Sequence, residues 1–384
     1  MDYFNGKFSR YHTNSYKWDH PLKTTGRKVL PFTVADSDYP TAPEIIQALK
    51  KRIENGAFGY TFLDDEYYAN IISWVERRYH YQIKADWILP TTGVVSSLTY
   101  AVLALTEPGD KIVIQTPVYN PFYSIVTENG RKLVQNPLLP GKTYRMDLED
   151  LEKCFQSGVK MLILCSPHNP VGRLWSKAEL EELIALCRRY QVLLVSDEIH
   201  CDLVIGNREF VSLGHYFSEY QKIVVITAPS KTFNLAGLGI SHIFVSDESL
   251  REAIKKLISI LHIKPNLLAL AACQAAYSCC DYWVDLQNEH LTNQFHFLKE
   301  FFKKNLPEAE VTEIEGTYLA WVDLRFLKLS SKDIYQGLLE YGVAINRGDT
   351  YGRDYDGFIR INLACSREQL DEGLTRLYRF ITNL

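Results

Sequence analysis

The chain has 384 residues, of which 46% are apolar and 23% charged. This is ordinary usage for a soluble globular protein, with length for roughly two domains and a large core. A net charge of −4 leaves no basic footprint and argues against nucleic acid or an anionic membrane surface as the partner, and no apolar run approaches the ~18 residues a membrane span needs.

The opening stretch, MDYFNGKFSRYHTNSYKWDH, is polar and aromatic, unlike a secretory or transit peptide. Eight cysteines include the adjacent pair Cys279 and Cys280 but no C-x-x-C, and no N-x-[ST] acceptor is present. Both facts point to a reducing cytoplasm with free thiols.

Residues 1–30 read as an extended arm. Thr41, Pro43 and Glu44 then mark a helix start, with Thr41 as the expected cap and Pro43 in the first turn. That helix runs to about Asn55, and a second amphipathic helix is expected over 66–79. From residue 88 onward, short apolar runs alternate with helical stretches. Strands are expected at 111–115, 161–165, 192–195, 223–227 and 241–245, with helices at 96–105, 177–190 and 248–261. Continuous apolar strands between helices predict an α/β fold whose mainly parallel sheet is sandwiched by helices. A long amphipathic helix over 285–304 leads to strands near 316–323 and 357–364, which read as a smaller α+β domain. The expected division is an N-terminal arm with part of the small domain over 1–45, a large ligand-binding domain over 46–285 and a small domain over 286–384.

Ligands of open α/β sheets bind at the carboxyl ends of the strands. Here those ends carry Gly93, Val94 and Val95 opening a helix, then Tyr119, Asn169, Asp197 with His200, and Ser230 with Lys231. Each has a plainer reading alone: Asn169-Pro-Val-Gly172 as a turn, Asp197 as a helix cap, Tyr119 as a core ring, Lys231 as a loop lysine. Their recurrence after successive strands favours a shared site. A carbonyl-reactive amine, a buried carboxylate, an amide, a flat ring and an anion-binding helix terminus are what pyridoxal 5′-phosphate requires. Lys231 would bond to its aldehyde, Asp197 would pair with its ring nitrogen, Asn169 would reach its phenolic oxygen, Tyr119 would stack on the ring, and the amides of Gly93, Val94 and Val95 would hold the phosphate.

The motifs Asn169-Pro-x-Gly172, Asp197-x-x-His200 and Ser230-Lys231-x-Phe-Asn234, with Gly237, resemble those of fold-type I pyridoxal-phosphate enzymes of the class I/II aminotransferase superfamily. The stretches 34–39, 228–237, 316–321 and 358–362 look like its cystathionine β-lyase branch, whose members cleave the C–S bond of cysteine conjugates. The resemblance implies that Arg360 clamps the substrate carboxylate and that Tyr60 reaches the cofactor phosphate of a neighbouring subunit in a homodimer with shared active sites. Tyr60, Tyr119 and Asn169 would also border the substrate. Leu238 stands where many aminotransferases carry a phosphate-binding arginine, and His200 where many carry a tyrosine. Arg347 and Asp349 replace an expected proline and serine. The expected reaction is β-elimination to a thiol, pyruvate and ammonia with Lys231 as general base; the alternative is transamination on the same residues. No metal-ligand spacing is present.

Overall fold

The computed structural model describes residues 3–384. Seven strands form the large sheet: β1 (Ile88–Thr91), β2 (Lys111–Thr116), β3 (Lys132–Pro137), β4 (Val159–Cys165), β5 (Leu193–Asp197), β6 (Ile223–Thr227) and β7 (Ser241–Phe244). Their spatial order is β1-β7-β6-β5-β4-β2-β3. All neighbours pair parallel except β7, which runs antiparallel to both β1 and β6.

Both faces of this sheet are covered. Along β4, Leu162 and Leu164 join one apolar cluster while Met161, Ile163 and Cys165 join another, following the two-residue period of a strand. A strand buried on both faces shows no polar alternation, which is why β6 reads Ile-Val-Val-Ile and is buried throughout. Each of these branched side chains contributes about 1.5–3 kcal/mol by leaving water.

The helices that shape the site are α1 (Val94–Leu105), α2 (Lys177–Tyr190), α3 (Leu267–Cys279) and α4 (Asp281–Asn305). Helix α2 begins in a capping box, Ser176 and Glu179 each satisfying the other's backbone N–H. A second sheet, antiparallel, is built from β8 (Glu310–Val311), β9 (Leu319–Asp323), β10 (Asn346–Arg347) and β11 (Phe358–Asn362) in the order β10-β11-β9-β8. The short strand Leu30–Pro31 pairs parallel with Val343–Ala344, tying the N-terminal region to this second unit.

Several expectations need correction. The N-terminal region is not an extended arm: it contains a helix, Asp19–Thr25, and buries Phe4, Lys17 and Trp18. Lys17 lies 3.0 Å from Asp38, which also accepts the Trp18 indole N–H at 2.7 Å. The first two residues of that expected arm lie outside the described ones. Helix Pro43–Glu54 has Ala42, not Thr41, at its cap, and the Thr41 hydroxyl is buried without a partner. Strand β3 and helix α3 were not anticipated at all.

Candidate active site

One cavity of about 550 Å³ opens where the carboxyl ends of the parallel strands meet the second sheet. It is lined by Gly93, Val94, Val95, Tyr119, Asn169, Asp197, His200, Ser230, Lys231 and Arg360, so every expected site residue but Tyr60 converges on it. Tyr60 is fully exposed, on a segment where Phe58 and Phe62 are exposed as well.

Lys231 sits just past β6 in a tight turn. Phe233 N–H bonds back to Pro229 O at 2.9 Å and Leu235 N–H to Ser230 O at 3.0 Å. The Phe233 ring anchors the turn edge-on against Trp74 at 5.9 Å. Lys231 Nζ donates to Ala35 O at 2.5 Å. Burial pushes its ammonium down to about 8, with Asp36 opposing, Arg360 adding to the effect and Asp197 opposing.

Asp197 ends β5, and its Oδ1 accepts the Ile199 N–H at 3.1 Å. Burial pushes this carboxyl up to about 7, partly offset by that hydrogen bond and by Lys231. A carboxylate raised so far lacks a strong cationic neighbour. His200 is buried with its Nδ1 unpartnered and its ring edge-on to Tyr318 at 5.8 Å. Burial, then Lys231 and Arg360, hold its pKa well below the usual value, so the imidazole is neutral.

The Asn169 turn depends on Gly172, whose φ of +68° and close approach to Ile314 leave no room for a Cβ. The turn presents Asn169 Oδ1 to Arg360 Nη1 at 3.0 Å. Arg360 lies in the middle of β11, and its Nη2 donates to Asn346 Oδ1 at 2.8 Å. Both partners are neutral amides, and Arg360 Nε is buried without a partner. A buried guanidinium held this way is a ready binding site for a planar carboxylate.

At the other end, α1 starts without a side-chain cap, leaving its first N–H groups free for an anion. Gly93 takes φ 150°, ψ 150°, a conformation open essentially to glycine alone. A knot of three buried hydroxyls fixes this turn. Thr91 Oγ1 lies 2.5 Å from Ser97 Oγ and 2.6 Å from Ser241 Oγ. Ser241 Oγ in turn accepts the Gly93 N–H at 2.9 Å. The Gly93 amide, expected to face the phosphate, is therefore occupied, and the free donors are those of Val94, Val95 and Ser96, the last not anticipated. Leu238 lies outside the cavity lining, and its carbonyl accepts from Asn266 Nδ2 at 2.7 Å. Arg347 and Asp349 bond to each other at 3.0 and 2.8 Å and lie outside the cavity lining.

Sequence reasoning missed Asn346 and the hydroxyl knot. It also missed the loop 34–36 as a wall of the site, held by Asn362 Nδ2, which donates to Val34 O at 2.7 Å and Asp36 O at 2.8 Å. Val34 has φ +48° there, a strained value for a β-branched residue. Asn362 follows Arg360 in β11, so the strand that carries the guanidinium also braces this wall.

The expected cofactor fits these residues. Its ring nitrogen supplies the cation that Asp197 lacks, its phosphate suits the uncapped end of α1, and its aldehyde meets an amine with depressed proton affinity.

Comparison with known proteins agrees. The model of the family described as aminotransferase class I and II matches residues 27–377. Cystathionine beta-lyase PatB of Bacillus subtilis is 37% identical, covering 97% of this chain and 98% of that protein. Protein MalY of Escherichia coli is 31% identical, covering 98% of each. The crystal structure of cystalysin from Treponema denticola, which contains a pyridoxal 5′-phosphate cofactor, is 35% identical and superposes over 100% of both chains with a TM-score of 0.95.

Proposed function

The chain belongs to the class I and II aminotransferase family, and we propose that it is a pyridoxal-phosphate-dependent β-lyase that splits the C–S bond of cystathionine or other cysteine S-conjugates. The observation that carries this is the convergence of Lys231, Asp197 and Arg360, the three charged side chains lining one cavity among the described residues. Full-length similarity to a protein named cystathionine beta-lyase supports elimination over transamination.

When bound, the cofactor would supply an electron sink for the substrate's Cα, the chemistry that acidifies the α-proton and favours departure of a thiolate from Cβ. Lys231 Nζ would hold the cofactor through its aldehyde carbon, and as a free amine it would take the substrate's α-proton. Arg360 Nη1 and Nη2 bind the substrate carboxylate and orient the Cα–H bond toward Lys231. Asp197 would keep a proton on the ring nitrogen, and the Asn169 side-chain N–H would be the donor to the ring's phenolic oxygen. His200, whose proton affinity burial lowers, lines the same cavity without adding charge. Tyr119 would cover the ring and exclude water, and the N–H groups of Val94, Val95 and Ser96 would hold the phosphate, with Ser230 as a further donor.

The test is to supply cystathionine to the holoenzyme with no keto acid present. Pyruvate and thiol should form in equal amounts; turnover that strictly requires an added keto acid would mean transamination instead.

The working unit in this reading is a homodimer in the reducing cytoplasm. Support comes from the outward-facing Phe58, Tyr60 and Phe62 and from eight free cysteines, six of them buried. No helix among the described residues is long and apolar enough to cross a membrane. Tyr60 reaches the phosphate held by the other subunit, so Tyr60→Ala should raise the cofactor Kd about tenfold by ultrafiltration while the protein still elutes as a dimer. The domain division at residues 45 and 285 is kept; in its favour, the large sheet lies wholly within 46–285 and the second sheet wholly beyond it.

The depressed Lys231 pKa gives a pH signature. Only the unprotonated amine attacks the aldehyde, and with the pKa lowered to about 8 half of it is neutral at that pH. Cofactor uptake by the cofactor-free protein should therefore accelerate with rising pH with a midpoint near 8, read by stopped-flow absorbance. Asp36→Asn removes an opposing charge and should move that midpoint down.

A further inference from the structure

The cavity's charges are fully committed once the cofactor and an α-amino acid are in place. Arg360 takes the α-carboxylate, Lys231 handles the amine and the α-proton, and Asp197 serves the ring nitrogen. The rest of the wall around the substrate's side chain is uncharged: Tyr16, Asn120, Pro121 and Tyr351. Tyr351 is buried beneath the Arg360 guanidinium, which lies 5.3 Å from its ring centroid. Tyr16 stands 69% exposed at the mouth, stacked on His20 at 4.7 Å.

Nearby charges do not reach this wall: Asp36, next to the lining residues Val34 and Ala35, is paired with Arg10 at 2.8 Å and lies outside the lining. Arg347 and Asp349 neutralise each other outside it, and Arg353 and Asp354 face a different cleft beside Tyr123. The segment proposed to come from the other subunit, residues 56–63, reads Gly-Ala-Phe-Gly-Tyr-Thr-Phe-Leu and adds rings but no charge. A leaving group carrying its own ammonium and carboxylate finds no opposite charge here and loses water on entry. An apolar one gains contact with the rings.

We propose that this site selects cysteine S-conjugates whose thiol part is uncharged, alkyl or aryl, over those such as cystathionine whose thiol part is zwitterionic. The proposal rests on the β-lyase reading above and ranks substrates within it. The reaction is redox-neutral. The Cβ–S bond breaks with its electron pair on sulfur, sulfur takes up a proton, and water hydrolyses the remaining three-carbon fragment to pyruvate and ammonia.

S-propyl-L-cysteine and L-cystathionine differ only by the ammonium and carboxylate on the terminal carbon, so the pair isolates charge from length. Pyruvate release by the holoenzyme should give a kcat/KM at least about tenfold higher for S-propyl-L-cysteine, with S-benzyl-L-cysteine on the same side. Two analogues without sulfur, 2-aminoheptanoate and 2,7-diaminosuberate, should bind in the same order by calorimetry. Cystathionine equal to or better than S-propyl-L-cysteine, or diaminosuberate binding as tightly as aminoheptanoate, overturns the proposal. If no conjugate yields pyruvate, the lyase reading fails, and the order of analogue binding still decides the preference for an uncharged side chain.

Discussion

Lys231→Ala protein mixed with pyridoxal 5′-phosphate is expected to show no visible absorption from lysine-bound cofactor and turnover lower by about four orders of magnitude or more. The amine is at once the attachment point and the base, so its removal affects both roles. The fold should survive, because the turn is held by backbone hydrogen bonds and by buried Phe233 rather than by the lysine. An unchanged thermal midpoint would show this. Lys231→Arg should be as inactive as the alanine variant, since a guanidinium does not shed its proton and cannot act as nucleophile or base. Retention of the absorption band by the alanine variant would transfer the role to another lysine.

The second large effect is expected at Asp197. Asparagine retains an oxygen for the Ile199 N–H, so β5 and the following turn should be preserved. It removes the negative charge that keeps the ring nitrogen protonated in a site where burial already pushes the acid up to about 7. Loss of one partner from a buried ion pair costs about 2–5 kcal/mol. Asp197→Asn should therefore lower kcat by roughly 10³-fold at saturating cofactor and weaken cofactor binding. Asp197→Glu keeps the charge but displaces it by a methylene, and should fall between the two. A near-normal kcat in Asp197→Asn, measured with bound cofactor confirmed by absorbance, would contradict the assignment.

Much of the large sheet was legible because strands buried on both faces announce themselves as short apolar runs. Strand β6 matches its expected range, and β4 and β5 differ only by a few terminal residues. Strand β3 was invisible for the same reason in reverse: it is the edge of the sheet, and its sequence Lys-Leu-Val-Gln-Asn-Pro is half exposed and half polar. Helix α3 is rich in alanine, leucine and cysteine on every side, so it lacks the polar stripe that marks a surface helix. The N-terminal region folds by burying Trp18 and Lys17 against Asp38, a contact that no local pattern encodes.

The site divides similarly. Tyr119, Asn169, Asp197 and Lys231 each follow a strand, so the topology alone predicts that they meet. Arg360 lies mid-strand in the second sheet and is reachable from the sequence only through family resemblance. Asn346, which holds it, sits in a two-residue strand with no pattern at all. The knot of Thr91, Ser97 and Ser241 draws hydroxyls from three separate elements. Only the folded chain reveals that it takes the Gly93 amide and leaves the phosphate to the next residues of α1.

Reducing the holoprotein with borohydride fixes the cofactor to whichever lysine holds it, and peptide mass spectrometry then locates that residue. The label is expected on Lys231, in the turn just past β6. A label elsewhere, on Lys17 for instance, the fully buried lysine of the N-terminal region, would contradict it.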